Sequence, residues 1–379
     1  PPALLGLGPS PTLPELRSAL GAELHRWSKN PRLAASLLGA LGRKRLPFLA
    51  VQVLNLMHED GVEVDVFHYT AAVAACEKSC EWQMALSLMC RMPLMRVLPN
   101  EYSYNAAISA FEKGGQWQLA LGLLREMPER KLAADKFSYS AAISACGQSS
   151  RWERAVYLLQ ECPDRRVMPD EISFNAATCA CKIGRQWERV VELFSLMPTR
   201  KLRPNCVSYN TAISACGETS DLWQWALRLL SEMARARLAP DILSYSGAIS
   251  SCGTDSHWQW ALALLSEMPQ AKLTPDAISY NAAISANAGT RDQWELAFSL
   301  FREMAWVKLV PDRISYNAAI SAVGNGGRWE LALELLGEMR TKSLMPNKIS
   351  SNAAISACEK GGQWQLALTL LRGMPPLGR

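Results

Sequence analysis

Apolar residues recur along this chain at spacings of three and four, which is typical of one face of an α-helix. In residues 101–135, a first stripe contains Tyr104, Ile108 and Phe111. A second stripe follows a short polar gap and consists of Trp117, Ala120, Leu121, Leu124 and Met127. The pattern predicts two short amphipathic helices in this segment.

Residues with special backbone preferences lie at the ends of the two predicted helices. We expect Ser103 to cap the first helix, because a serine hydroxyl accepts hydrogen bonds from the free amides of a first turn. Gly114 and Gly115 are expected to end that helix. Pro128 is expected to close the second helix, because proline has no amide hydrogen. The equivalent prolines are Pro93, Pro163, Pro198 and Pro269.

The two-helix pattern returns in nine tandem copies. They span residues 66–100, 101–135, 136–170, 171–205, 206–241, 242–276, 277–312, 313–347 and 348–379, the last one truncated. Neither helix of a copy can bury its apolar face alone, whereas stacked copies share a continuous core. We therefore expect an all-α fold, a right-handed α-solenoid superhelix of tandem helix–turn–helix repeats.

The residues before the nine copies differ from them. Residues 1–30 are expected to form a proline-rich lead-in and a capping helix, since the ends of solenoids are atypical. Residues 31–65 are interpreted as a degenerate repeat, in which Ala50 and Met57 fall where Ala120 and Met127 fall in a well-matched copy. The sequence begins at Pro1 and shows no signal-peptide pattern, which leaves a removed leader and a fragment as alternatives.

Cysteine and tryptophan follow the same period. The cysteines at one repeat position are Cys76, Cys146, Cys181, Cys216, Cys252 and Cys358. We interpret them, and Cys179, as core residues in a reducing compartment. A tryptophan begins each second helix: Trp82, Trp117, Trp152, Trp187, Trp223, Trp258, Trp294, Trp329 and Trp364. Its place on the apolar stripe favours core packing, with stacking on a nucleic-acid base as the alternative.

Composition limits the chemistry that the chain can perform. It is 49% hydrophobic, yet the apolar runs are too short to span a membrane. The net charge of +5 permits an anionic partner without requiring one. The four histidines are scattered and none lies beside a nucleophile in a known motif. We expect no catalytic residue, no metal site and no cofactor, and hence no enzyme.

A few recurring residues resemble the pentatricopeptide repeat family. They are the aromatic-polar step Tyr104-Asn105, the alanine Ala120, the methionine Met127 and the closing Pro169-Asp170, all within a period of 35 residues. Tetratricopeptide repeats have a period of 34 and a tryptophan-leucine-glycine signature in the first helix, which this chain lacks. A peptide-binding, tetratricopeptide-like interaction scaffold is the alternative function.

The resemblance implies a sequence-selective single-stranded RNA-binding protein with one base per repeat. Members of the family act in RNA processing, stability or translation in chloroplasts, our first expectation, or in mitochondria. Partners would be single-stranded RNA and other RNA-processing proteins, with no membrane, and the protein would be a monomer. Nothing in the chain resembles the deaminase or nuclease domains of some relatives, so a partner or another segment would supply any chemistry.

The resemblance also assigns residues to RNA. The fifth and last residues of a repeat would read one base edge. The fifth residues are Thr70, Asn105, Ser140, Asn175, Asn210, Ser246, Asn281, Asn317 and Asn352. The last residues are Asn100, Asp135, Asp170, Asn205, Asp241, Asp276, Asp312 and Asn347. The family's pairing rules then imply the site 5′-AUGYUGUY-3′. Helix capping is the alternative role for these polar residues, and suits the last residues best.

Two further sets complete the expected interface. The second residues would wedge between bases: Phe67, Tyr102, Phe137, Ile172, Val207, Leu243, Ile278, Ile314 and Ile349. Second and fifth residues are three apart, so they share a helix face. Ordinary packing between repeats is the alternative for these apolar side chains. The family's phosphate-binding lysine occurs only as Lys78, Lys113 and Lys360, so we expect a weak dependence of binding on salt.

Overall fold

The computed structural model describes residues 13–217, 222–253, 257–289 and 293–372, and within these ranges it contains no β-strand. Twenty-one α-helices occur in this part of the chain. They are α1 (Leu13–Lys29), α2 (Arg32–Arg43), α3 (Pro47–Glu59), α4 (Val66–Ser79), α5 (Trp82–Leu94), α6 (Glu101–Lys113), α7 (Trp117–Glu129), α8 (Lys136–Gln148), α9 (Trp152–Asp164), α10 (Glu171–Ile183), α11 (Trp187–Thr199), α12 (Cys206–Cys216), α13 (Trp223–Arg235), α14 (Ile242–Ser251), α15 (Trp258–Glu267), α16 (Ala277–Ala288), α17 (Trp294–Trp306), α18 (Arg313–Asn325), α19 (Trp329–Thr341), α20 (Lys348–Lys360) and α21 (Trp364–Arg372).

The helices form two compact units, residues 1–186 with 199–202 and residues 187–198 with 203–379. In the first unit α2, α4, α6, α8 and α10 pack each on the next, and α5, α7 and α9 each contact the first helix of their own repeat and of the following one. In the second unit α12, α14, α16, α18 and α20 form the same succession, with α13, α15, α17 and α19 in the second layer. The fold is an all-α helical-repeat solenoid.

The helix that precedes the repeats covers part of the expected lead-in. α1 buries Leu16, Leu20 and Trp27 and packs against α2 and α3. The segment interpreted as a degenerate repeat holds the helix pair α2 and α3. Residues 1–12 of the lead-in and residues 373–379 of the last repeat lie outside the described residues.

The first helices begin earlier than the sequence analysis expected. Asn100, not Ser103, is the N-cap of α6: its backbone is extended, and its Oδ1 accepts a hydrogen bond from the Ser103 amide at 3.0 Å. Ser103 lies inside the first turn and donates its own hydroxyl to the same oxygen. The capping assignment of Ser103 was therefore wrong, because the residue three positions earlier fills the cap with a longer polar side chain.

The prolines do not close the second helices, with one exception. Pro128 lies in the last turn of α7, which continues to Glu129. The Arg130 amide still bonds to the Glu126 carbonyl at 3.1 Å, so the turn tolerates the missing proline donor. The helix is followed by Lys131 in the left-handed region, with φ of 61°. Pro93, Pro163 and Pro198 likewise lie inside their helices, whereas Pro269 lies beyond the end of α15.

Small residues allow the first helices to approach closely. Ala107 and Ala142, at equivalent places in successive repeats, are fully buried. The six cysteines of the period are buried, which confirms their assignment to the core. Cys179 is exposed, which corrects its assignment. Residues two positions apart in an α-helix differ by about 200° around its axis. Cys179 and the buried Cys181 therefore lie on opposite faces of α10.

Four tryptophans of the second helices, Trp82, Trp152, Trp294 and Trp329, pack against a glycine of the following repeat. Eight of the nine recurring tryptophans are partly buried, and Trp82 lies against Gly114 of the following repeat. Trp364, in the last helix that the structure describes, is 65% exposed. The recurring tryptophan is thus mainly a packing residue, as its position on the apolar stripe predicted.

Candidate nucleic-acid interface

A row of exposed apolar side chains follows the first helices. The second residue of each of the nine repeats is between 57% and 73% exposed, from Val207 to Tyr102. Packing between repeats, the alternative role for these residues, is not what the structure contains. Scattered exposed apolar residues are normal on protein surfaces, whereas an exposed apolar side chain at the same place in every repeat makes the second residues of each unit a candidate interaction surface.

The fifth residues lie on the same helices, one turn further into the repeat. Most are half-buried: Thr70, Asn105, Ser140, Asn175, Asn210 and Asn317. Ser246 and Asn281 are buried, and Asn352 is exposed. Polar groups of this kind, partly open to solvent and partly held by the protein, have hydrogen-bonding capacity left for a ligand.

The last residues perform the capping role that was the alternative assignment for them. Each begins the first helix of the following repeat with an extended backbone, and its side chain accepts a hydrogen bond from the third residue of that helix. Capping uses one side-chain oxygen and leaves the rest of the carboxylate or amide available. The residues concerned are Asn100, Asp135, Asp170, Asn205, Asp241, Asp276, Asp312 and Asn347.

Three fifth residues contact the last residue of their own repeat directly. The amide nitrogen of Asn105 donates to the two carboxylate oxygens of Asp135 at 3.2 and 3.3 Å. Asn210 donates to Asp241 at 3.1 and 3.0 Å. Asn281 donates to Asp312 at 3.3 Å. The structure thus brings together three of the predicted pairs, although they are about thirty residues apart in sequence.

Three other predicted pairs are joined through a serine. Thr70 Oγ1 lies 2.6 Å from Ser103 Oγ, which donates to Asn100. Ser246 Oγ lies 3.0 Å from Ser279 Oγ, which donates to Asp276 at 2.8 Å. Ser350 Oγ donates to Asn317 Oδ1 at 2.6 Å and lies 2.9 Å from Asn347 Oδ1. The hydroxyl of the third residue is therefore part of the network.

None of these third-position serines was predicted from the sequence to belong to the interface. The only signal for them was their recurrence, two positions before each fifth residue.

Hydrogen bonds keep the carboxylates of Asp241 and Asp312 ionised. Burial acts to raise the pKa of Asp241, but hydrogen bonds from Ser244 and Asn210 outweigh it and lower the pKa below the ordinary value. Burial also opposes ionisation of Asp312, where hydrogen bonds from Ser315 and Asn281 again lower the pKa. These repeats therefore present fixed negative charges beside amide side chains at neutral pH.

Family models match most of the chain. The pentatricopeptide repeat domain model matches residues 52–115, 157–219, 263–326 and 299–360. The PPR repeat family model matches residues 99–148, and the PPR repeat model matches 35–62 and 137–167. The chain belongs to the pentatricopeptide repeat family. No curated protein matches the sequence.

Solved pentatricopeptide repeat structures resemble this fold at low sequence identity. The crystal structure of the pentatricopeptide repeat protein PPR10 from maize is 22% identical, with a TM-score of 0.56, over 90% of this chain and 48% of that one. PPR10 in complex with an 18-nt psaJ RNA element is 19% identical, with a TM-score of 0.46, over 95% and 58%.

The PPR domain of Arabidopsis thaliana protein-only RNase P 1 in complex with tRNA is 13% identical, with a TM-score of 0.43, over 48% of this chain and 97% of that domain. The likeness to the first PPR10 structure supports the fold. This pentatricopeptide repeat chain spans about half the length of that maize structure.

The three lysines expected at phosphate differ in their surroundings. Lys78 is exposed. The ammonium group of Lys113 lies 2.9 Å from a carboxylate oxygen of Glu77, and that of Lys360 donates to the side-chain carbonyl of Asn325 at 2.6 Å. The ion pair neutralises part of the charge that Lys113 would offer to a phosphate. Such exposed pairs contribute less than about 1 kcal/mol to stability.

The described residues of this pentatricopeptide repeat protein include no helix that is both long and apolar enough to cross a bilayer. Within the same ranges, no cluster of three or more histidine, cysteine, aspartate or glutamate residues has a geometry suited to a metal ion.

Proposed function

We propose that this pentatricopeptide repeat protein binds single-stranded RNA sequence-selectively, with one base per repeat. The row of second residues carries the proposal, because each repeat exposes one large apolar or aromatic side chain such as Phe67 or Ile314. Bases stack on such side chains through their flat faces. The adjacent amide and carboxylate groups, as in Asn105 with Asp135, then lie where a base edge would be read.

The bases follow from the family's pairing rules applied to the fifth and last residues. They give 5′-AUGYUGUY-3′, starting at the repeat 66–100. Asn105 with Asp135 and Asn210 with Asp241 each stand for U in this reading. The hydrogen bonds between the members of each pair support it, since paired residues can contact the same base.

Titration with RNA tests the proposal. A labelled 5′-AUGCUGUC-3′ octamer should bind more tightly than a scrambled octamer of the same composition. Equal affinity for the two would remove sequence selectivity, and absence of binding at low salt would favour a peptide-binding scaffold. For single strands, log affinity falls with log salt at a slope of about −0.7 per phosphate contact. We expect a shallow slope, because the phosphate-binding lysine occurs in only three of the nine repeats.

A substitution at one repeat tests the base assignment. Asn210→Thr should move the preference at the fifth base from U towards G, because threonine with aspartate stands for G in the family's rules. The preferences at the other seven bases serve as the internal control. An unchanged preference for U at that base would show that Asn210 does not read it.

We also propose a place and role in the cell. The protein would act in chloroplasts, with mitochondria as the alternative, in the processing, stability or translation of a transcript. It would act as a monomer that blocks or recruits other RNA-processing proteins, without catalysing a reaction itself. Family membership supports this part of the proposal. Imaging a fluorescent fusion of the full-length protein in plant cells tests the location, and a nuclear or cytosolic signal would contradict it.

A further inference from the structure

A buried serine from the next repeat contacts the amide oxygen of several fifth residues. Ser138 Oγ donates to Asn105 Oδ1 at 2.5 Å, and Ser244 Oγ donates to Asn210 Oδ1 at 2.6 Å. Both serines are fully buried. Their hydroxyl groups therefore do not face solvent, and they meet RNA only through the asparagine that they hold.

The direction of these hydrogen bonds is set by the backbone. The Asp135 amide donates to Ser138 Oγ at 3.2 Å, and the Asp241 amide donates to Ser244 Oγ at 3.1 Å. Because the hydroxyl oxygen accepts from this amide, its single hydrogen points away from it. The hydrogen then reaches the carbonyl oxygen of the asparagine, and to a lesser degree the aspartate carboxylate.

Two contacts together fix the orientation of the asparagine amide. The serine donates to the oxygen of Asn105, while the carboxylate of Asp135 accepts from its nitrogen. Rotating the amide by 180° would place its oxygen against the carboxylate, and two acceptors repel one another. One amide hydrogen and one oxygen lone pair remain for a base, always in the same order.

The order matters for telling uracil from cytosine. Uracil offers a donor at N3 and an acceptor at O4, whereas cytosine offers an acceptor at N3 and a donor at N4. A freely rotating amide pairs with either base by turning over. An amide held in one orientation matches only one of the two.

We propose that Ser138 and Ser244 are positioning residues that make their repeats prefer U over C, by holding the amides of Asn105 and Asn210 in one orientation. The inference rests on the proposed RNA-binding function. It assigns a specificity role to a residue that does not touch the base, in the repeat that follows the one reading it.

One repeat provides a matched control within the chain. Asn281 and Asp312 form the same pair of residue types, and Ser315 makes the same capping bonds, with 2.9 Å from its Oγ to Asp312 Oδ1. The oxygen of Asn281, however, is buried without a hydrogen-bond partner. The amide of Asn281 thus lacks the serine contact, although Ser315 is buried as fully as Ser138.

The experiment compares U with C at single bases of the octamer. Affinities are measured for RNAs with U or C at the second base, which the repeat 101–135 reads, and at the seventh base, which the repeat 277–312 reads. Wild-type protein should discriminate more strongly at the second base. Ser138→Ala should reduce the preference for U at that base by about three- to tenfold, the effect of one hydrogen bond. Ser315→Ala should leave the preference at the seventh base unchanged within about twofold.

Stability separates positioning from capping. Both variants lose the same capping bond, and Ser138→Ala also loses the bond to Asn105, so its thermal midpoint should fall at least as far as that of Ser315→Ala. If Ser138→Ala weakens binding of U- and C-containing RNA equally, the serine is only structural and the inference is wrong. Ser244→Ala, read at the fifth base, gives an independent second case should Ser138→Ala not fold. If wild-type protein binds the octamer selectively, but Ser138→Ala and Ser244→Ala keep the wild-type ratio of affinities for U- and C-containing RNA, this inference alone is overturned. No selective binding by wild-type protein would overturn the proposed function too.

Discussion

The indole ring of Trp82 occupies the space that a side chain at Gly114 would need. A Cβ atom at Gly114 would lie 2.5 Å from Trp82 Cδ1, closer than such atoms ever approach. The same arrangement recurs between successive repeats at Gly184, Gly326 and Gly361, each against the tryptophan of the preceding repeat. Glycine at this place lets the end of a first helix seat directly on the neighbouring indole, which fixes the distance between repeats.

Gly114→Ala should therefore destabilise the protein by about 1–3 kcal/mol, the usual cost of forcing a group into a packed site. Gly122→Ala is the matched control, because a Cβ there meets no atom within 4 Å. Gly122 lies on the exposed face of α7, where alanine favours the helix by about 1 kcal/mol over glycine. Urea unfolding followed by circular dichroism should show opposite shifts of the midpoint. Shifts of the same sign would contradict the packing described.

Two tyrosines in α6 separate RNA contact from folding. Tyr102 is 73% exposed, whereas Tyr104 is 1% exposed. Tyr102→Ala should leave the thermal midpoint nearly unchanged and weaken RNA binding by about 1–3 kcal/mol, the contribution of one stacked base. Tyr104→Ala should lower the free energy of unfolding by about 3–5 kcal/mol, since it leaves a cavity. Normal RNA affinity in Tyr102→Ala would remove the second residues from the interface.

The features of the fold that could be predicted from the sequence are those that depend on residues close together in the chain. The helices and the repeat boundaries follow from a regular spacing of apolar residues, and the exposure of Tyr102 follows from its position relative to the buried stripe. The start of α6 was misplaced, because Asn100 and Ser103 are both good capping residues and only coordinates show which one has an extended backbone. Cys179 was misassigned by its closeness in sequence to Cys181.

The candidate site could be predicted only in part, for a different reason. Which residues share a helix face follows from their spacing, so the second and fifth positions were found together. The hydrogen bond from Ser138 to Asn105 joins two repeats, and it depends on how closely α6 and α8 stack. The spacing of residues within one repeat does not predict this distance between two repeats. The repeat of Asn281 has the same residue types at these positions, yet Asn281 lacks the serine contact. The residue types alone therefore do not determine the hydrogen-bond network.

Cysteine reactivity should report the same division between core and surface. Burial raises the pKa of Cys76 to about 12, with Glu81 adding to the effect, and burial raises the pKa of Cys216 to about 12. At pH 8 these thiols carry almost no thiolate, which is the reactive form. Cys90 and Cys179 are exposed. Iodoacetamide should label the exposed pair fully before the buried pair reacts, as read by mass spectrometry, with urea-unfolded protein as the control. Equal labelling rates in native protein would contradict the fold.

Acid should weaken the helix cap at Asp241 in a defined pH range. Hydrogen bonds from Ser244 and Asn210 outweigh the opposing effect of burial and lower the pKa of this carboxyl in the folded chain. A depressed folded pKa means that the carboxylate stabilises the fold above the unfolded value of about 3.9. The contribution is lost as the pH falls through the folded pKa.

Asp241→Asn isolates this effect, because asparagine caps the same place naturally at Asn347 and cannot ionise. Wild-type protein should be more stable than the variant at pH 7 by about 0.3–1 kcal/mol, from the charge at the helix N-terminus. The difference in thermal midpoint should be constant from pH 8 to pH 5 and disappear as the pH falls below about 4. If the difference in thermal midpoint were as large at pH 3 as at pH 7, ionisation of Asp241 would not be its cause.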